Sequence, residues 1–238
     1  MLTILKREFR SYFHTAVGYV FMGVFLMVSS VIFFMVILKQ HSGDIPVFIG
    51  DMSYLWMLLS PVLTMKLLAE ERQKKTDQLL LTSPVSPVGI VAGKYLAALA
   101  VLGITVLLTL LYAVIVAVYG RLWPAELAVC MLGFFLQGCA FTALDLFISG
   151  CTATPTLSAI LSFGANLTLW MMDLLADSVN IPEIGNALNF LSLYSRNEPF
   201  LMGQLSFAGI VYDLCFVLAF LTAAVFHMNN RRYRGVRS

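Results

Sequence analysis

The segment GIVAGKY, from Gly89 to Tyr95, is the part of this sequence that most resembles a chemical motif. A Walker A loop has four residues between its glycines and a Ser or Thr after its lysine, so that backbone N–H groups bind phosphate and the hydroxyl binds magnesium. Here three residues separate Gly89 from Gly93, and Tyr95 follows Lys94. The segment also begins an apolar run instead of following a strand. We therefore predict that this chain does not bind ATP by itself.

A second candidate for chemistry is the pair Glu70 and Glu71, which precedes Lys75 and approaches the Glu-Glu-x-x-x-Arg pattern of prenyl-protein-processing membrane proteases. Catalysis of that kind needs further bases within hydrogen-bond reach. The histidines fall on opposite sides of the predicted membrane: His14, His41 and His227. The cysteines lie in apolar segments without a Cys-x-x-Cys spacing: Cys130, Cys139, Cys151 and Cys215. We predict no catalytic residue and no metal site, and an intramembrane hydrolase is the weakest alternative.

Two polar residues, Asp145 and Asn166, lie deep within long apolar segments. A charged side chain costs about 2.5–3.5 kcal/mol at the bilayer centre, so Asp145 is expected to face the protein interior or a polar cavity. Asn166 is expected to form interhelical hydrogen bonds. A proton or cation relay would need several carboxylates at one depth, and Asp173 and Asp213 lie near the outer ends of their segments. Asp145 and Asn166 are therefore a candidate intramembrane polar site.

The composition indicates the elements that position these residues. Of the 238 residues, 60% are hydrophobic and 12% charged, whereas soluble domains are about half apolar and a quarter charged. The chain is therefore predicted to be a single all-α integral membrane domain, 1–238, and its net charge of +2 gives no indication of nucleic acid. Continuous apolar segments exclude a β-barrel. At about 20 residues per crossing, six spans are predicted: 16–38, 52–69, 89–119, 126–149, 156–176 and 207–228.

Basic residues orient the spans, because cytoplasmic loops carry an excess of lysine and arginine. With the N-terminus inside, only Lys39, Arg121 and Arg196 face outward. The others face the cytoplasm: Lys6, Arg7, Arg10, Lys66, Arg72, Lys74, Lys75, Lys94, Arg231, Arg232, Arg234 and Arg237. The chain is therefore predicted to be a multi-pass protein of the cell (inner or plasma) membrane with both termini cytoplasmic.

Two segments are predicted to form helices that do not span. In residues 1–14, apolar and basic side chains occupy opposite faces at helical spacing: Leu2, Leu5, Phe9 and Phe13 against Lys6, Arg7 and Arg10. This pattern predicts an amphipathic helix in the inner headgroup layer, with a frayed basic tail as the alternative. Residues 177–206 contain Pro182 and Pro199 and are too polar to span, so we expect short outer helices there.

The loop 70–88 is predicted to join two spans that extend beyond the membrane. The third helix can begin at Ser86 and Pro87, which suit an N-cap and a first turn. Its length of roughly 48 Å exceeds the hydrocarbon core of about 30 Å. The second helix is expected to continue through Lys66 to Arg72. Within the loop, a short helix ending at Ser83 and Pro84 presents three leucines, as expected for insertion into a groove of another protein. An ordinary connector is the alternative.

The stretch AEERQKKTDQLLLTSPVSPVGIVAGKYLA, residues 69–97, closely resembles the cytoplasmic segment of ABC type-2 transporter permeases. LKREFRSYFHTAVGYVFMGVFLM resembles the family's interfacial elbow and first span, especially in the gliding-motility-type branch. LFISGCTATPTLSAILSFG resembles its fourth-to-fifth-span turn, and LNFLSLYSRNEPFLMGQLSFAGIVYDLCFVLAFLTAAVFHMNNRRY resembles its outer helices and last span. The resemblance covers nearly the whole chain. Two positions depart from it, because Lys75 stands where the family usually has Gly, and Asp145 stands where it is usually small or apolar.

The resemblance implies a half-permease that pairs with a second permease chain, alike or related, above a dimer of cytoplasmic ABC ATPases. ATP and magnesium would bind the ATPase, and this chain would hold no cofactor. The residues that match the family's ATPase-contacting coupling helix are Thr76, Asp77, Leu79, Leu80, Ser83 and Pro84. Glu70, Glu71 and Arg72 would lie at the stalk. The branch also implies an accessory membrane protein with an outer domain.

The function implied is a permease subunit that couples ATP hydrolysis by separate subunits to export of an unidentified substrate. Few charges lie within the spans, which favours an amphiphile, a lipid-linked polymer or a peptide, reached from the membrane lipid, over an ionic solute. The alternative is mechanotransmission, in which ATPase-driven motion passes to an outer partner without transport. A polar tunnel between two permeases would favour the first function, and a sealed apolar interface the second.

Overall fold

The computed structural model describes residues 2–39, 44–76, 86–119, 123–178 and 192–235. In these residues all regular secondary structure is helical, which confirms the predicted all-α class. The elements in chain order are α1 (Leu2–His14), α2 (Val17–Phe33) with a π-helical continuation (Phe34–Leu38), α3 (Ile45–Thr64), α4 (Ala69–Gln73), α5 (Pro87–Tyr119), α6 (Pro124–Cys151), α7 (Pro155–Ser178), α8 (Leu193–Leu201) and α9 (Phe207–Gly235).

Five helical stretches of the described residues are long and apolar enough to cross a membrane: Val17–Leu38, Ile45–Gln73, Pro87–Val118, Pro124–Cys151 and Phe207–Arg231. The remaining predicted span, 156–176, corresponds to α7, which is not one of these five stretches. One face of α7 carries Ser158, Ser162 and Asn166, all fully buried against the protein. The crossing of the membrane by α7 stays a prediction.

The helix α6 is the centre of the bundle, because it packs most extensively against α3 and α9 and also contacts α5, α7 and α8. Its inner contact with α2 and α3 is an aromatic cluster around Trp56. The Trp56 ring lies 4.8 Å from Phe25 and 4.9 Å from Phe134 between centroids, and its N–H donates to the Phe134 carbonyl at 3.1 Å. The indole is thus fully buried with its one polar atom paired, as a buried Trp requires.

The helix α8 is docked on α6 at Gly133. A Cβ atom at this position would lie 2.5 Å from Cβ of Phe200, so the two helices approach more closely than any side chain would allow. The Asn197 amide donates to the Gly133 carbonyl at 3.3 Å, and the Cys130 thiol donates to the Phe200 carbonyl at 3.1 Å. The rest of the outer segment that is described is short, and residues 179–191 lie outside the described part of the chain.

The helix α1 meets α2 at Ala16, whose φ of 58° is left-handed and turns the chain sharply. One side of α1 faces the bundle, since Ile4 and Tyr12 are buried and Phe9 and Phe13 pack against the core. Its main contact is with α5. The position of α1 in a headgroup layer stays a prediction.

The prediction of one continuous helix through Lys66 to Arg72 is wrong. Instead α3 ends at Thr64, and α4 begins at Ala69. Pro61 lies inside α3 and has no N–H to donate, and the Thr64 hydroxyl donates back to the Ser60 carbonyl at 2.9 Å. Both features bend or end a helix. The helix that carries this predicted span also begins at Ile45, upstream of residue 52, with Pro46 in its first turn.

Candidate functional site

The break between α3 and α4 frees backbone groups, and side chains from neighbouring helices bind them. The Ser149 hydroxyl on α6 accepts from the amides of Leu68 at 3.3 Å and Ala69 at 3.2 Å, and donates to the Met65 carbonyl at 3.3 Å. Ser149 is fully buried. In a membrane protein, a broken helix is tolerated only where such groups are satisfied internally. The Ser149 hydroxyl therefore forms hydrogen bonds with backbone groups that a continuous helix would have paired with each other.

Side chains from two further helices also bind backbone carbonyls at the break. The Tyr12 hydroxyl on α1 donates to the Leu63 carbonyl at 2.8 Å, and burial raises the pKa of this phenol, so it remains a donor at physiological pH. The Lys94 ammonium on α5 donates to the Leu67 carbonyl at 2.5 Å. The break is thus held from three sides, by α1, α5 and α6.

Lys94 is also the centre of a charged cluster, which we call the Lys94 network: Arg7, Glu8, Glu71 and Lys94. The Lys94 ammonium lies 2.8 Å from Glu71 and 3.3 Å from Glu8, while Arg7 lies 2.7 Å from Glu8 and 3.2 Å from Glu71. The Lys94 side chain is 1% exposed. Two cations and two anions balance, as the burial of charge requires. The network joins α1, α4 and α5.

The three predicted stalk residues have different contacts. Glu71 belongs to the Lys94 network, whereas Glu70 forms an exposed pair with Lys74 at 2.6 Å. The Arg72 guanidinium donates to the carbonyls of Cys151 and Thr152, each at 3.0 Å, at the C-terminal end of α6. A cation is favourable at the negative end of a helix dipole. Arg72 thus connects α4 to the central helix.

The chain leaves α4 through a Schellman motif. The Thr76 amide donates to the Glu71 carbonyl at 2.9 Å, and the Lys75 amide donates to the Arg72 carbonyl at 3.1 Å. Lys75 has a φ of 56°, the left-handed conformation that this motif gives to the residue after the helix and that favours glycine. The glycine that the resemblance leads one to expect here therefore has a conformational reason, and Lys75 adopts the same turn without it.

Among the predicted coupling-helix residues, Thr76 is described. Asp77, Leu79, Leu80, Ser83 and Pro84 lie outside the described residues. On the far side of this segment, the Ser86 hydroxyl accepts from the Gly89 amide at 3.2 Å at the start of α5. Thr76 and Ser86, at the two ends of this stretch, are therefore described, and residues 77–85 between them lie outside the described part of the chain.

The two residues of the candidate intramembrane polar site, Asp145 and Asn166, are brought together. Oδ2 of Asp145 accepts from the Ser60 hydroxyl at 2.6 Å and from the Asn166 amide at 3.4 Å. The same amide group lies 3.3 Å from the Met57 carbonyl, which Pro61 leaves without its helical donor. Both Asp145 and Asn166 are fully buried. The site thus joins α3, α6 and α7.

The sequence did not indicate the roles of Glu8, Lys94, Ser149 or Ser60. Glu8 is the one acid among the basic residues of α1, and this exception is a signal that it has a cationic partner inside the protein. Lys94 follows Gly93 in a motif that fails as a phosphate loop, and its spacing carries no sign of a buried ion pair. Nothing local marks Ser149 or Ser60, because their partners lie far away in the sequence.

Replacing Ser149 by Ala is expected to lower the free energy of unfolding by about 1–2 kcal/mol, because it leaves two buried amides without an acceptor. Thermal unfolding of the purified chain in detergent measures the change. Thr222→Ala is the control, since the Thr222 hydroxyl is exposed and donates to a carbonyl of its own helix, that of Ala219, at 2.9 Å. Equal changes in the two variants would contradict the bridging role of Ser149.

The described residues form a helical membrane domain in which the chain is not helical between α3 and α4, and the buried Lys94 network lies beside this break. A model of the ABC-2 family transporter protein matches residues 25–209 of the chain. The match extends from α2 to the start of α9 and includes the break, Glu71, Lys94 and Asp145. No curated protein matches the chain. The gliding-motility-type branch and its accessory protein stay predictions. Since the family model covers well over half of its length, this chain belongs to the ABC-2 type transporter permeases, the membrane subunits of ABC transporters.

Proposed function

We propose that this chain is half of the permease of an ATP-driven exporter. It pairs in the membrane with a second permease chain, alike or related, and a dimer of cytoplasmic ABC ATPases binds the segment 76–84. ATP and magnesium bind the ATPase subunits, which perform the hydrolysis. In this arrangement both termini and the Lys94 network lie on the cytoplasmic side of the cell membrane. Membership of the family implies the two kinds of partner.

The main support for this proposal is an ion pair that connects α4 and α5, the two helices on either side of the coupling segment. One end leaves α4, which carries Glu71, and the other enters α5 at Pro87, about two turns before Lys94. These two side chains form an ion pair at 2.8 Å with the lysine almost completely buried. A force on the segment would therefore move α4 and α5 as one body, and α1 would follow through Glu8 and Arg7.

From α4 the motion has a short route to the centre of the bundle. Arg72 holds the C-terminal end of α6, and Ser149 of α6 holds the break. Because α3 is not continuous with α4, α3 can keep its packing while α4 moves. Coupling between sites passes through packed contacts of this kind when they have two arrangements. Transport requires two such arrangements of the permease.

The experiment is recovery of an ABC ATPase with the tagged chain from native membranes in mild detergent, followed by mass spectrometry and an ATPase assay. We expect an ABC ATPase with the wild type and its loss with Leu80→Asp, because an added charge opposes insertion of an apolar helix into a groove. Two controls separate this effect from general damage. Leu80→Met keeps the apolar volume, and Thr3→Asp adds the same charge at an exposed polar residue of α1.

Both controls are expected to recover the ATPase as the wild type does. Recovery with Leu80→Asp at the wild-type level would show that the segment is not the contact. Failure to recover any ABC ATPase with the wild type, under conditions in which the second permease chain is retained, would overturn the proposal as a whole.

A further inference from the structure

The Asp145 carboxyl has more acceptor atoms around it than hydrogen atoms to share. Its Oδ2 accepts from Ser60 and Asn166, but Oδ1 is buried without a partner. Oδ1 of Asn166 and the hydroxyl of Ser162, both fully buried, also lack partners. Native interiors leave few polar atoms in this state, so each calls for an explanation. Here one of them belongs to the Asp145 carboxyl, and the other two belong to Asn166 and Ser162 on α7.

The orientation of the Asn166 side chain is fixed by its surroundings. Its NH₂ group faces three acceptors: the Met57 carbonyl at 3.3 Å, the Ser60 hydroxyl at 3.2 Å and Oδ2 of Asp145 at 3.4 Å. Reversing the amide would place its oxygen against a carbonyl oxygen and a carboxyl oxygen. The unpartnered Oδ1 of Asn166 is therefore a consequence of the site and not of an arbitrary choice of rotamer.

No positive charge balances Asp145 in the described part of the chain, where none of the ion pairs includes it. The groups that face it, Ser60 from α3 and Ser162 and Asn166 from α7, do not titrate. Among the titratable side chains of the other packed helices, Lys94 of α5 pairs with Glu8 and Glu71, and neither Asp213 nor His227 of α9 forms a described ion pair or hydrogen bond with Asp145. An unpaired buried charge is too costly to persist, and such a group is neutralised instead.

We propose that Asp145 is a proton-binding site of the membrane domain, which holds one exchangeable proton on Oδ1 while α3, α6 and α7 are packed together. The O–H group then donates to one of the two unpartnered oxygens beside it, and the carboxyl is neutral. When α3 separates from α7, water reaches the carboxyl, the O–H bond breaks and the proton passes to water. Proton binding therefore favours the packed arrangement. This proposal does not depend on which ATPase the chain binds.

The direct test is infrared difference spectroscopy of the purified full-length chain near neutral pH. A carbonyl band of a protonated carboxylic acid is expected in the wild type and is expected to be reduced in Asp145→Asn. Asp44→Asn is the control, because Asp44 is exposed and lies between helices. If Asp145→Asn leaves the band unchanged, Asp145 is ionised and the proposal is wrong.

A second measurement follows thermal stability against pH. The unfolded chain releases this proton at about pH 4, so above that pH the folded chain holds one proton more than the unfolded chain. Stability then falls as the pH rises, by up to about 1.4 kcal/mol per pH unit, until the folded chain also releases the proton. The wild type is expected to show this loss relative to Asp145→Asn. Parallel profiles would overturn the proposal. So would stabilisation of the wild type alone by sodium chloride over choline chloride, because the carboxylate would then hold a metal cation.

Discussion

Replacing Lys94 by Met is expected to lower the free energy of unfolding by about 3–5 kcal/mol, the range for removing one partner of a buried ion pair. Met keeps most of the volume of the side chain but leaves Glu8 and Glu71 close together with Arg7 as their only described cation. It also removes the donor to the Leu67 carbonyl. Thermal unfolding of the purified chain measures the loss, and a double-mutant cycle with Glu71→Gln isolates the part that belongs to the pair.

Lys74→Met is the matched control for this prediction. The Lys74–Glu70 pair is even shorter, at 2.6 Å, but the lysine is 65% exposed. Exposed pairs of this kind contribute about 0.5 kcal/mol. We also expect Lys94→Met to reduce recovery of the ATPase, because α4 and α5 would no longer move together. If both lysine variants unfold alike, the Lys94 network does not stabilise the packing of α1, α4 and α5.

Replacing Gly133 by Val is expected to displace α8 from α6. A Cβ atom there would meet Cβ of Phe200 at 2.5 Å and Cγ of Phe200 at 2.7 Å, and these atoms lie too close to the backbone to move aside freely. We expect a cost of about 3 kcal/mol, at the upper end for overpacking. Displacement exposes Cys130, whose thiol is fully buried beneath α8. The measurement is the rate of maleimide labelling of Cys130 in a chain whose other cysteines are Ala, and an increase of roughly tenfold or more is expected, since 1.4 kcal/mol corresponds to a factor of ten.

Gly164→Val tests whether any valine at a glycine has this effect. A Cβ atom at Gly164 has nothing within 4 Å, and the residue is exposed on α7. Labelling of Cys130 is expected to stay at the wild-type rate in this variant. Slow labelling in Gly133→Val as well would mean that α6 and α8 separate enough to accept the side chain.

The all-α class could be predicted from the sequence, because its apolar segments are continuous and long enough to span a membrane as helices. The break after Thr64 did not follow, although Pro61 stands three residues before it in the sequence. Whether a proline bends a helix or ends it depends on the groups that receive the freed backbone atoms, and here these are Ser149 and Lys94, which are distant in sequence. The polarity of α7 was visible as well, but its buried face depends on α3 and α6.

The candidate site was predictable in its types of residue and not in its pairs. Lys94 was placed on the cytoplasmic side from the charge pattern, and Glu71 was placed at the stalk from the resemblance. Asp145 and Asn166 were each expected to face inward. The pairs they form depend on how the helices pack, which one sequence does not encode locally. Lys75 is different, because a glycine-favouring turn can be inferred from the resemblance alone, and its φ of 56° agrees.

The side chains that bind the free backbone groups between α3 and α4 have a consequence for how the protein is made. The amide of Leu68 bonds to a hydroxyl that is 81 residues further along the chain. A ribosome that has delivered α3 and α4 to the membrane has therefore not yet made their acceptor, and Lys94 arrives before Ser149 does. The connection between α3 and α4 would reach its native form only after α6 is inserted. An insertion intermediate ending before Ser149 would hold unpaired amides at its inner end, where a membrane chaperone or a protease would find them.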